Sequence, residues 1–209
     1  MNGHCPAFPA RIVLATGNPG KLREMREILA PWHVEVLPLS DFTPEVAEET
    51  GLSFVENAIL KARFAAQAAG LPAIADDSGL EVDALHGAPG IHSARYAGEG
   101  ADDAANNARL LRELSGVPDE RRNARYRCAM VYLRWPLDPA PIVCQASWEG
   151  RIARVPVGSG GFGYDPLFLV GDGRQTAAEL DRTHKNRVSH RGQALRGLVG
   201  ALEPAGRDP

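Results

Sequence analysis

Apolar positions recur at two periods along this chain. Residues 11–15 (Arg-Ile-Val-Leu-Ala) read as a buried strand, and after a glycine turn Leu22, Met25, Ile28 and Leu29 recur at helical spacing. Residues 34–39 read as a second strand, and residues 41–50 as an acidic loop carrying Glu45, Glu48 and Glu49. Ser53 and Glu56 have capping-box spacing and open a long alanine-rich helix to Ala69, stopped by Gly70 and Pro72. On that helix Asn57 and Lys61 share a face. Further on, Ala104, Ala108, Leu111 and Leu114 predict one face of a helix over 103–114. Residues 125–133 and 142–148 predict an antiparallel ribbon with a proline-rich hairpin between its strands, and 151–157 a candidate further strand. Arg125 and Arg127 alternate with Tyr126 and Cys128, which gives the ribbon a polar outer face. Thr176 and Glu179 repeat the capping-box spacing, and a last helix opens at 189–192 with Ala194, Leu195, Leu198, Val199 and Leu202 as its apolar stripe.

The least expected stretch interrupts this pattern. Residues 72–75 are an apolar run that ends in Asp76-Asp77-Ser78-Gly79, and alternation resumes at Leu80 and Val82. Successive strand residues point to opposite faces, so the two carboxylates share a side only if the backbone bulges or turns, which Gly79 permits. A carboxylate near a core costs several kcal/mol unless a metal, a cation or hydrogen bonds compensate it. An acidic turn and a metal or catalytic site both fit this stretch taken alone.

Three more segments carry chemistry. Residues 16–21 (Thr-Gly-Asn-Pro-Gly-Lys) form a strand-to-helix turn that aims backbone N–H groups and a helix dipole at one point, a natural anion site to which Lys21 adds a charge. It is not a Walker A loop, because Leu22 follows Lys21. Residues 158–166 hold Phe162, Tyr164 and Asp165 in a glycine-rich backbone, suited to clamping a planar base. His190 and Arg191 lie in the first turn of the last helix, where basic residues oppose the dipole and need another partner. The loop 86–98, rich in glycine and in side chains suited to ligands, is a fourth candidate.

Composition narrows the class. A chain of 209 residues with 23% charged and 44% hydrophobic residues is an ordinary globular protein, long enough for one large α/β domain or two small lobes. Its net charge of −3 gives no sign of nucleic-acid binding. Cys5, Cys128 and Cys144 have neither disulfide nor zinc spacing. Neither a signal sequence nor a membrane-length apolar run is present, which predicts a cytoplasmic protein.

Taken in order, the motifs at 16–21, 48–51, 54–62, 75–80, 90–96, 161–166 and 189–192 closely resemble the inosine triphosphate pyrophosphatase family, the XTP/dITP diphosphatases. The resemblance spans about residues 12–202. It implies an α/β fold with a long mixed β-sheet flanked by helices, in two lobes around a central active-site groove. It divides the chain into a flexible arm (1–10), a single catalytic domain (11–203) and a C-terminal tail (204–209). It further implies a Mg²⁺-dependent homodimer that hydrolyses dITP, ITP, XTP and dXTP to the monophosphate and pyrophosphate, with no nucleic-acid or membrane partner. Position by position, Thr16, Gly17, Asn18, Pro19, Gly20 and Lys21 would hold the triphosphate, and Asp77 would be general base and metal ligand. Glu48 would be the second metal carboxylate, with the parts of Glu49 and Asp76 open. Ser78 would contact substrate; Phe162, Gly163, Tyr164 and Asp165 would grip the base; Lys185 would touch the nucleotide, and His190 and Arg191 would close over the purine.

The chemistry that follows is in-line attack by an Asp77-activated water on the α-phosphorus, with Lys21 or Lys61 and the metal countering charge on the leaving pyrophosphate. Arg191 donating to O6 and Asp165 accepting from N1–H would exclude adenine, which offers neither group. Two alternatives stand beside this reading. One is a nucleotide pyrophosphatase of different base choice. The other is a non-catalytic nucleotide- or RNA-binding module using the glycine loops and the Arg125/Arg127 strand.

Overall fold

The protein is described by a computed structural model over residues 9–202. Most of the expected arm, with Cys5, and the whole 204–209 tail lie outside the described residues.

Seven strands form one sheet in the order β2-β1-β3-β4-β5-β6-β7. These are β1 (Arg11–Leu14), β2 (Glu35–Pro38), β3 (Ala73–Val82), β4 (Asn123–Leu133), β5 (Ile142–Ile152), β6 (Phe168–Val170) and β7 (Gln175–Thr176). The helices are α1 (Pro19–Leu29), α2 (Phe54–Ala69), α3 (Asp103–Glu113), α4 (Arg182–Val188) and α5 (His190–Leu202). β1 runs parallel to both β2 and β3, whereas β6 runs antiparallel to β5 and β7, so the sheet is mixed. The described chain divides into two compact units, one of residues 9–77, 129–145 and 191–202, the other of 78–128 and 146–190.

In the first unit, α2 meets the sheet through small side chains, while Ile12, Leu14, Met25 and Ile74 are among the large side chains buried in the same unit. Val13, Ala73 and Ala75 of the parallel strands meet Ala58, Ala62, Ala65 and Ala66 of α2, all of them buried. Alanine on that face lets the helix approach the sheet closely, and packing at this density resists enlargement. α2 begins at Ser53, whose hydroxyl accepts the Glu56 N–H at 3.3 Å; Glu56 reaches back to the N–H of Leu52 (2.9 Å). Gly70, in left-handed conformation, closes it.

The second unit is packed with large rings. Tyr126, Trp148 and Phe168 contact one another, with Leu80, Val82, Leu110 and Leu167 around them. Arg122, 2% exposed, donates to the carbonyls of Leu114 (2.7 Å), Ile152 (2.8 Å) and Ala153 (2.9 Å), tying the end of α3 to the end of β5.

One open alternative is closed and two expectations are corrected. β3 runs unbroken through Asp76 to Val82, which rules out the acidic-turn reading of the pair. Residues 151 and 152 end β5, and 153–157 form no strand. Of the expected stripe, Leu114 is buried and Leu111 half-buried, but Ala104 and Ala108 are exposed, and within α3 the buried positions are Asn106 and Leu110. Asn106 accepts the Ala97 N–H (2.7 Å) and donates to the Ala94 carbonyl (3.1 Å), so a buried polar tether to the 86–98 loop overrides the apolar stripe.

Candidate active site

Strand geometry decides how the acidic pair is used. In an unbroken β3, Asp76 and Asp77 point to opposite faces, and each meets its own cations. Asp77 Oδ1 lies 2.6 Å from Lys61 Nζ, and Asn57 Nδ2 donates to its Oδ2 at 3.4 Å. Lys61 and Asn57, one turn apart on α2, thus converge on one carboxylate, and Asn57 Oδ1 also accepts the Gly51 N–H at 2.8 Å. Lys61 Nζ is in addition 3.1 Å from Glu49 Oε1. Burial raises the proton affinity of the Asp77 carboxyl above the ordinary value, and Lys61 only partly offsets this. The Lys61 ammonium loses hydration by burial, yet Asp77, Asp76 and Glu49 hold its pKa above the ordinary lysine value.

Asp76, with no side-chain exposure, takes the other face: Lys21 Nζ reaches its Oδ2 at 2.9 Å and Arg191 Nε at 3.3 Å. Burial opposes its ionisation, but Lys21, Arg191 and Lys61 together hold the carboxyl well below the usual range. Arg191 also pairs with Glu24 of α1. Of the two basic residues at the start of α5, Arg191 therefore finds its partners in two buried carboxylates.

The 16–21 turn is shaped by Asn18. Its Oδ1 caps α1, accepting from the backbone N–H groups of Gly20 (2.8 Å) and Lys21 (3.1 Å), while Thr16 Oγ1 accepts from the Asn18 N–H (3.1 Å). Those N–H groups, read from sequence as open to an anion, are engaged by side chains. Gly17, Asn18 and Pro19 are exposed. Beside them a cavity of about 270 Å³ is lined by Thr16, Gly17, Asn18, Leu39, Glu49 and Lys61, among others. Glu48 is exposed; its neighbour Glu49 is the half-buried one that faces Lys61.

The second unit holds the other predicted residues. Asp165, 3% exposed, lies 2.5 Å from Lys185 Nζ through Oδ2, which also accepts the Phe162 N–H at 2.9 Å; Tyr126 donates to Oδ1 at 3.3 Å. A Cβ on Gly161 would lie 2.0 Å from that Oδ2, so only glycine fits there. Lys185 Nζ is 5.0 Å from the Phe162 ring centroid. Tyr164 is turned into the core, its hydroxyl donating to the Ser93 carbonyl at 2.8 Å. His190, buried, stacks on Tyr126 with centroids 4.7 Å apart. Of the two aromatic residues in the glycine segment, Phe162 alone is half exposed. Ser78, in β3, is half buried.

The predicted residues thus form two sets. Thr16 to Lys21, Glu48, Lys61, Asp77 and Arg191 belong to the first unit, and Ser78, Phe162 to Asp165, Lys185 and His190 to the second. Glu24 and Tyr126 had no sequence signal, since ion-pair and ring partners far along the chain leave none. The face shared by Asn57 and Lys61 was the available signal for Asn57.

A divalent cation fits the first set. Among the described residues no cluster of three or more metal-binding side chains occurs. Mg²⁺, however, needs only one or two carboxylates with substrate and water oxygens completing its shell. Asp77 and Glu49, close enough to share one ammonium, are such a donor pair.

Residues 12–201 match the Ham1 family, and the chain belongs to it. A relative from Thioalkalivibrio sulfidiphilus named dITP/XTP pyrophosphatase is 60% identical over 193 residues, covering 92% of this chain and 98% of the relative. One of the same name from Escherichia coli K12 is 56% identical over 192 residues, with the same coverage. Among solved structures, a HAM1 protein from Coxiella burnetii is 49% identical and superposes with a TM-score of 0.85, covering 93% of this chain and 98% of that one. A dITP/XTP pyrophosphatase from Mycobacterium abscessus is 47% identical with a TM-score of 0.72, covering 90% and 98%.

Proposed function

We propose that this chain hydrolyses non-standard purine nucleoside triphosphates, dITP, ITP and XTP among them, to the nucleoside monophosphate and pyrophosphate. The observation that carries the reading is Asp77, a carboxylate buried in mid-strand with Lys61 2.6 Å away. In the same unit lies the cavity lined by Thr16, Gly17, Asn18, Glu49 and Lys61. Relatives named dITP/XTP pyrophosphatase at 56–60% identity support the choice of substrate.

Asp77 is the proton acceptor. Its burial makes it a stronger base than an exposed carboxylate, while Lys61 favours the ionised form that can accept a proton. The water it deprotonates attacks the α-phosphorus; the bond from that phosphorus to the α,β-bridging oxygen breaks, and the charge leaves with pyrophosphate. Lys61 and Lys21 counter that charge, and Asp76 keeps the Lys21 ammonium in place. Mg²⁺, held by Asp77 and an acidic residue of the 48–49 pair, would neutralise phosphate oxygens. Glu49, in contact with Lys61, suits that part better than exposed Glu48.

The base goes to the second set. A purine stacked on Phe162 would present its O6 to Lys185, which Asp165 fixes, rather than to Arg191, whose guanidinium is engaged by Asp76 and Glu24. Inosine and xanthosine accept that hydrogen bond; adenosine presents an amino group and leaves the ammonium unpaired. Guanosine shares O6 and is rejected less. The same reading takes a homodimer in the cytoplasm as the working assembly, without nucleic-acid or membrane partners. Among the described residues no helix is long and apolar enough to cross a membrane. In the non-catalytic alternative the Arg125/Arg127 strand would meet RNA. Its arginines are instead taken by Asp83, Glu149 and Glu81.

Hydrolysis of ITP in ¹⁸O-labelled water tests the scission. The label is expected in the monophosphate; label in pyrophosphate would place the attack elsewhere.

A further inference from the structure

The glycine loop that carries Phe162 is held at Gly160, whose N–H donates to the Ala178 carbonyl at 3.1 Å, and from two further directions around Phe162. Asp165 fixes it from within through the Phe162 N–H. From α3 come Asp103 and Asn107, one helical turn apart on a common face. Asp103 Oδ2 accepts the Gly163 N–H at 2.6 Å, and Asn107 Nδ2 donates to the Gly163 carbonyl at 2.9 Å. Both backbone polar groups of one residue are therefore bonded to the same helix. That residue has φ +63°, a conformation glycine enters readily and also leaves readily, so an external restraint has something to restrain.

At Gly163 packing does not supply the restraint, since a Cβ there would meet nothing within 4 Å. Between α3 and the loop lies a cavity of about 460 Å³, lined by Ala104, Ala108 and Leu111 on the helix and by Pro156, Pro166 and the 159–163 backbone across from it. α3 is a fixed base, since Asn106 ties it to the 94–97 segment and Arg122 to the end of β5. Two hydrogen bonds across an underfilled space thus set where the residue next to Phe162 sits.

We infer that Asp103 and Asn107 are positioning residues for base recognition, holding Gly163 so that the Phe162 ring and the Lys185 ammonium keep one relative placement. This rests on the reading of Phe162 as the platform for the base. A residue that orients the base acts on ground state and transition state alike, so its loss falls on KM and on base choice. Loss of fold would fall on every substrate together.

The test compares Asp103→Ala, Asn107→Ala and the double variant with Phe162→Ala as reference. The readouts are kcat and KM for ITP and ATP, inhibition by inorganic pyrophosphate, and Tm. In the double variant KM for ITP is expected to rise about 3- to 10-fold with kcat within about twofold. The ITP-to-ATP preference should fall, and pyrophosphate inhibition should not change. Asp103→Asn, which keeps an acceptor oxygen, should stay near the parent enzyme. The inference is overturned if Phe162→Ala raises KM for ITP and the double variant does not. It is equally overturned if the double variant lowers kcat on both nucleotides in step with Tm at unchanged preference. Should Phe162→Ala leave KM for ITP unchanged, the platform reading fails first, and this inference with it.

Discussion

Two adjacent carboxylates in β3 have different partners, and the roles proposed for them rest on that difference. Asp77 is the less acidic of the two and faces Lys61, Asn57 and Glu49. Asp77→Asn keeps the shape and removes the proposed base, so kcat should fall about 10²- to 10⁴-fold with the fold intact, read by pyrophosphate release and Tm. Asp76 is enclosed and shared by Lys21 and Arg191, and Arg191 also meets Glu24. Removing that guanidinium leaves two buried acids undercompensated. Arg191→Ala should therefore destabilise the protein by about 3–5 kcal/mol, a drop in Tm of roughly 10 °C or more by calorimetry, beyond any loss specific to ITP. An unchanged Tm would show the network to be looser than its distances indicate. Seen from sequence, the Asp76-Asp77 pair stood out because two charges interrupted an apolar run. The choice of Asp77 as base came from the resemblance to the family and not from the pair itself, because the cations that distinguish the two acids lie as far away as residue 191.

At the scale of elements, the parts built on local rules were legible. Strand β1, helix α1, the capped start of α2, the stripe of α5 and the Thr176/Glu179 capping box follow from periodicity and from residues three or four apart. Where a distant polar partner intervened, local rules failed. Asn106 turned α3 onto a face that its alanines did not predict, and the pairing of Lys61, Lys21 and Arg191 with the acidic pair let β3 continue where a turn was one of the readings left open. The loop 134–141, which joins β4 to β5, shows how a short element is pinned by one acid. Asp138 accepts from Arg134 through Nε (2.7 Å), NH2 (2.5 Å) and its backbone N–H (3.1 Å), and from the Ala140 N–H (3.0 Å). Arg134, despite the cost of burial, holds the Asp138 carboxyl far below its ordinary value. A depressed carboxyl contributes stability that is complete above the unfolded value of about 3.9 and is lost as pH falls through the folded one. Asp138→Asn should thus lower Tm by a constant amount above about pH 5, with the gap to the parent protein closing in acid. A gap that stays the same down to pH 2 would remove the ion pair from the explanation.

For the whole molecule, the motifs and the packing units divide the chain differently. The chain passes from one unit to the other between Asp77 and Ser78 and again between His190 and Arg191, so two of the motifs supply residues to both units. Order along the sequence was enough to recognise the family, because seven motifs in series identify it without any geometry. It was not enough to show that Asp165 is occupied by Lys185, Phe162 and Tyr126, or that Tyr164 faces the core; both depend on chain segments brought together only by folding. The central claim is metal-dependent pyrophosphate release selective for non-standard purines. Its most direct test measures pyrophosphate and orthophosphate from ITP, XTP, dITP, ATP, GTP and CTP, each with Mg²⁺ and with EDTA. Pyrophosphate from the first three, abolished by EDTA and far above that from ATP and CTP, is the expected result. Orthophosphate as the product, or equal rates across the six nucleotides, would contradict the assignment of Asp77 to α-phosphorus attack or of Phe162 and Lys185 to the base.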